Sequence, residues 1–206
     1  TWPGGLGPAV IDWGLTDWND GDDTPGLQVP TGARNPDGSK KTITLDMDGN
    51  ERIGVSVGEA TLLLADFIYL TGSLAFEMGP TYTIDINTGV SANLVDTLGL
   101  PSILPGVQVS TITLGGSHLK AFVGLDAKEY FTKPDDNNSI GFAIDDLTFG
   151  IAIMTPTVFD VLNQTPLKNY KPRFISLKAT AEFVGFVGFG DFLTLEAHDL
   201  LIEANV

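Results

Sequence analysis

STITLGGSHLKAFVGLD, residues 110–126, and IGFAIDDLTFGIAIM, residues 140–154, decide how this chain is read. Both are rich in Ile, Val, Phe and Thr, which pack well on a pleated surface, and both carry glycines where a backbone bends or approaches another. The same style recurs in FIYLTGSLAFEMG (67–79), ISLKATAEFVGFVGFGDF (175–192) and FLTLEAHDLLIEANV (192–206). Short apolar runs separated by Gly, Asp and Asn are what a stacked or sandwiched β-sheet requires.

Composition narrows this further. The 206 residues suit one all-β domain, or a core with an irregular arm, and are tight for two full-sized domains. With 43% hydrophobic and 18% charged residues, 24 glycines and 12 prolines, the chain is too apolar for disorder and too turn-rich for a helical bundle. A net charge of -15 repels a nucleic-acid backbone and favours cations and solubility. Cysteine is absent, which removes disulfides, thiolate zinc sites and a Cys nucleophile together. No apolar run approaches the ~18 residues of a membrane helix, and no signal-peptide pattern is present. Starting at Thr1 and closing inside a strand-like LLIEANV, the chain reads as a piece cut from something larger.

Residues 1–40 differ in kind from the rest: they hold all three tryptophans and a cluster of acids, with hardly any periodicity. They read as an irregular Trp/Pro/Asp-rich arm with one short strand over 9–13, and 41–206 as a β-rich module. KTITLDMD alternates Ile43, Leu45 and Met47 against Thr42, Thr44 and Asp46 as a strand, while VGEATLLLADFIYL fits helix or strand. The best helix candidates are 91–106 and 157–164. Phe183, Phe186, Phe189 and Phe192 recur every three residues, but the glycines between them each cost a helix ~1 kcal/mol. As a strand this segment is apolar on both faces and is expected to be covered on both. The fold class is therefore all-β, mainly antiparallel, a sandwich or an elongated stacked structure, with one or two short helices.

Chemistry-bearing patterns are sparse. Ser117 precedes His118, but neighbours on a strand point to opposite faces and cannot act as nucleophile and base for each other. No nucleophile elbow, phosphate loop, zinc-protease helix or dinucleotide fingerprint is present. Asp85, Asp145, Asp146, Glu196 and Asp199 are the carboxylates a glycosidase pair could draw on, with no spacing that selects two of them. Asp46, Asp48 and Asn50 stand at i, i+2 and i+4, like the first ligands of an EF-type calcium loop, but Val57 occupies the place of the bidentate Glu and Glu59 comes two residues late. Asp20, Asp22 and Asp23 form a second acidic loop, and Asp135 with Asp136 a third. Trp2, Trp13 and Trp18 beside acids could stack on a sugar, although tryptophan more often anchors an arm to a core.

LTGSLAFEMG (70–79), the run from Leu119 to Pro156, and the run from Ile175 to Val206 resemble the β-rich repeat units of giant secreted bacterial surface proteins, the hemolysin-type calcium-binding adhesins. The glycine-rich calcium nonapeptide of those proteins is missing. The resemblance implies a non-catalytic, extracellular structural or adhesion module of a larger surface protein, stabilised by Ca²⁺ and packing on neighbouring modules or copies of itself. The alternative is a carbohydrate-binding module using the tryptophan-rich arm, with surface glycan as partner. A carboxylate-dependent glycan-active enzyme is a distant third.

Overall fold

Backbone pairing organises the chain into two antiparallel sheets. The computed structural model describes residues 10–15, 25–91, 95, 101–133, 138–157 and 172–206. Two compact units result, Thr1–Arg52 and Ile53–Val206. The division follows Arg52, not residue 40, because the strand that opens at Lys40 pairs with one inside the expected arm.

In the first unit, β1 (Leu27–Arg34) and β2 (Lys40–Leu45) form a hairpin in which Pro30 lies opposite Thr42. A two-stranded sheet has only edge strands, so a proline without an N–H is tolerated here. The turn is fixed by Asp37, whose Oδ1 accepts from the Ser39 amide at 2.9 Å and the Ser39 hydroxyl at 2.6 Å. Those bonds, the hydroxyl first, hold the Asp37 carboxyl below its ordinary value of 3.8. The sign follows: the contribution is complete above the unfolded value and is lost as pH falls through the lowered folded one. A carboxyl-carbon NMR titration should place Asp37 below 3.8, and Ser39→Ala should move it back up. The strand expected over 9–13 is not formed among the described residues; Trp13–Leu15 is a 3-10 turn whose Trp13 N–H donates to the Met47 carbonyl at 2.9 Å.

The second unit is one six-stranded meander in sequential order: β3 (Ile53–Leu64), β4 (Ile68–Asn87), β5 (Ile103–Leu125), β6 (Ile140–Pro156), β7 (Phe174–Val187) and β8 (Glu196–Asn205). Every neighbouring pair is antiparallel. The ambiguous VGEATLLLADFIYL resolves as the β3–β4 hairpin, its tight turn closed by Phe67 N–H to the Leu64 carbonyl. Helix α1 (Ala127–Thr132) follows β5 and supplies the one helix among the described elements of regular length. The helix expected over 157–164 lies outside the described residues apart from Thr157; that expected from Ser91 with its stop at Gly99 and Pro101 is described only at Ser91 and Val95, and β5 opens after the stop, at Ile103.

Two small clusters anchor the sheet. Ile86, Leu104, Val107 and Val109 pack with Ile84, Met154 and Phe174. Phe122, Ala127 and Ala143 pack with Tyr69, Tyr130, Phe131, Phe183 and Val187, so α1 covers one face at its own end of the sheet. Burial lifts the Tyr130 phenol above its usual value, with the Asp145 charge adding to it. Most strand residues stay outside these clusters. The expectation that the phenylalanine-rich segment is covered on both faces is met in part: within β7, Phe183 packs in the α1 cluster and Phe186, on the other face, lies edge-on to Phe142 and Phe189, both half-buried, whereas Phe192 falls past the strand in a 3-10 turn and is 91% exposed.

Candidate functional site

Alternation along these strands breaks at one level of the sheet. The pairing shifts between Val57 and Ala60, between Thr71 and Ser73, and on both sides of Leu119. At the same level His118 on β5, Asp146 on β6 and Asp199 on β8 each adopt φ 51, and Gly72 on β4 has φ 144. Left-handed backbone costs ordinary residues ~1–2 kcal/mol, less for Asp and His, whose short polar side chains bond locally. The result is a line of bulges from β3 to β6, which raises local twist and re-aims side chains, while β7 and β8 pair in one unbroken register.

Polar side chains gather on that line. His118 Nδ1 meets Asp146 Oδ1 at 2.7 Å, and the His118 N–H donates to Thr148 Oγ1 at 3.5 Å. Ser73 Oγ donates to the Ser117 carbonyl at 3.0 Å. Lys120 Nζ lies 3.3 Å from Asp145 Oδ1 and 5.5 Å from the Phe131 ring centroid. Further along, His198 packs its ring 5.3 Å from Phe183 and sits 3.9 Å from Glu196. The His118 side chain is 81% exposed, so this pair resembles surface ion pairs worth about 0–1 kcal/mol. The imidazole is oriented by the Asp146 carboxylate, and the Thr148 hydroxyl is engaged by the His118 backbone amide.

Two other carboxylates considered from the sequence hold backbone or side chain in place. Asp85 Oδ1 accepts from the Gly106 amide at 2.9 Å, holding the β4–β5 end of the sheet, and Asp146 meets His118. Asp145 has the Lys120 charge nearby, but its Oδ1 is buried without a hydrogen bond.

For calcium, Asp48 and Asn50 come together, but they bond to each other: Asp48 accepts from the Asn50 amide at 3.3 Å and from its side-chain nitrogen at 3.0 Å. Asn50, its side chain first, lowers the Asp48 pKa from its ordinary value, with the Arg52 charge contributing less. Glu59 lies on β3, in the other compact unit from Asp46. Among the described residues no three His or carboxylate groups converge on one point. Asp20, Asp22, Asp23, Asp135 and Asp136 lie outside the described residues, as do Trp2 and Trp18. Trp13 is half-buried in a hollow shared with Val10, Ile11 and Met47, an anchor's position.

The larger feature is a face. Below the bulge line, pairing sets three rows across all six strands: Val57–Leu74–Gly116–Phe149–Ala179–Ile202, Val55–Phe76–Leu114–Ile151–Leu177–Ala204, and Ile53–Met78–Ile112–Ile153–Ile175–Val206. Paired residues share a side, so these rows make one apolar surface. The intervening rows, such as Ser56–Ala75–Gly115–Gly150–Lys178–Glu203, put small and polar residues on the other side. Val55 is 62% exposed, and Phe76 and Leu114 are each 39% exposed. Nothing in the sequence alone set these rows side by side, since they depend on the strand register. No protein-family model, curated protein or solved structure matches the chain.

Proposed function

We propose that the chain is a non-catalytic structural module of a larger extracellular surface protein, working by packing its sheet against neighbouring modules or copies of itself. The single observation that carries this is the three-row apolar surface of the open meander, since contiguous exposed apolar area of this kind marks an interaction surface. The acidic composition suits a protein that stays dispersed until that surface is engaged. The polar groups of the bulge line supply turn and pair geometry.

Sedimentation velocity over a concentration series tests it. Wild-type chain should associate reversibly, and Leu114→Glu, which places a charge in the middle row, should weaken association at least tenfold with an unchanged far-ultraviolet dichroism spectrum. A chain that remains monomeric throughout, or one that turns over a glycan and loses that activity on Asp145→Asn, would overturn the proposal.

A further inference from the structure

The two edges of the meander are made to fit each other. Strand β3 is exposed along its whole length and β8 at all residues but Leu200, and among the described residues no strand pairs with the outer side of either. Natural edges are blunted by charged side chains, above all lysine, by proline, by bulges or by short strands. Neither IGVSVGEATLLL nor EAHDLLIEAN contains Lys, Arg or Pro, both strands are long, and what charge they carry is acidic: Glu59 beside the β3 bulge, and Glu196, Asp199 and Glu203 on β8.

We infer that β8 of one copy pairs antiparallel with β3 of a second copy, joining the chains head to tail into a continuous sheet. This rests on the structural-module reading above and names its partner and interface. Direction comes first: in a meander of six strands, β3 and β8 run oppositely, so a copy in the same orientation presents β3 antiparallel to β8. Register comes second. The rows that cross the sheet end at Ile202 on β8 and begin at Val57 on β3; likewise Ala204 with Val55, Val206 with Ile53, Ala197 with Leu62 and Glu196 with Leu63. Val57 to Leu62 spans as many residues as Ala197 to Ile202, so one uninterrupted register satisfies the rows on both sides of the bulge line. A one-residue slip would send the apolar rows to the wrong face.

Charge comes third. In this register Glu59 falls opposite Leu200, Asp199 opposite Ala60 and Glu203 opposite Ser56, so no two acids face each other. A two-fold β8–β8 pairing would instead set two strands bearing Glu196, Asp199 and Glu203 side by side, which is unfavourable. A head-to-tail contact leaves a free edge at each end, so growth is open.

Because the chain has no cysteine, cross-linking reports the interface without background. Chains carrying Val57→Cys and chains carrying Ile202→Cys should form disulfide-linked dimers when mixed and oxidised, and neither should dimerise alone. The double variant should give a ladder of multimers. Val57→Lys should weaken association at least tenfold with unchanged dichroism. Association that persists without cross-linking, or Val57→Cys dimers formed alone, would overturn the edge pairing while leaving the structural-module reading standing. Absence of association altogether would overturn both.

Discussion

Phe122→Ala is expected to cost about 4 kcal/mol of unfolding free energy, the upper part of the range for removing a buried aromatic ring. Phe122 is fully buried, its ring stacked on Tyr130 at 4.8 Å, and it packs in one cluster with side chains from β4, β6, β7 and α1. A single-layer sheet has few such residues, and the relaxation that would fill the cavity has little material to draw on. Against a typical total of 5–15 kcal/mol, the loss removes a large share of stability. Urea denaturation should show a markedly lower midpoint with little change in slope. Phe192→Ala, at a position 91% exposed, should stay within about 0.5 kcal/mol of wild type. Equal effects for the two would mean that the α1 cluster does not hold the sheet.

The β character of the chain was legible from residue types, but strand length was not. FIYLTGSLAFEMG reads as a segment that ends at Gly79, whereas β4 runs on to Asn87. The cause is the bulges, which interrupt period-2 alternation without ending the strand. Helix α1 has only six residues, too few for a helical period to register, and Asp126 before it adopts φ 55 with no side-chain cap. In the arm, the lack of periodicity hid β1, where Pro30 is tolerated because a two-stranded sheet has nothing but edges.

Of the candidate site, the residues were visible and their grouping was not. Asp145, Asp146, Asp199, His118 and His198 each stood out from the sequence, but sequence spacing gave no reason to place His118 beside Asp146. One signal was present. His118, Asp146 and Asp199, the three positions at φ 51, are each followed directly by leucine: Leu119, Leu147 and Leu200. A left-handed-tolerant polar residue before Leu inside an apolar run marks the bulge in β5 and β6 and the left-handed position in β8. The opposite-face argument for Ser117 and His118 assumed a regular strand. The left-handed backbone at His118 replaces that assumption, and the imidazole turns to Asp146 and not to a serine.

Gly141→Ala is the second large effect, expected at about 3 kcal/mol of destabilisation, within the range for overpacking a filled site. Gly141 on β6 pairs with Gly124 on β5, so two residues without side chains face each other where the strands pass under the α1 cluster. A methyl group at Gly141 would run into the Val123 carbonyl oxygen, lie 2.8 Å from the Gly124 Cα and 2.8 Å from Phe122 Cζ. Two of these neighbours are backbone in a paired ladder and cannot swing aside, while the third is the ring that fills the core. The Phe122 ring therefore occupies space that the glycine leaves open, which couples this position to the first prediction. In a double-mutant cycle Gly141→Ala should cost less in the Phe122→Ala background, because the ring conflict is gone, but not nothing, because the carbonyl conflict remains. Strict additivity would mean that the backbone clash alone sets the cost; a neutral Gly141→Ala would mean that β5 and β6 separate here more readily than their pairing implies.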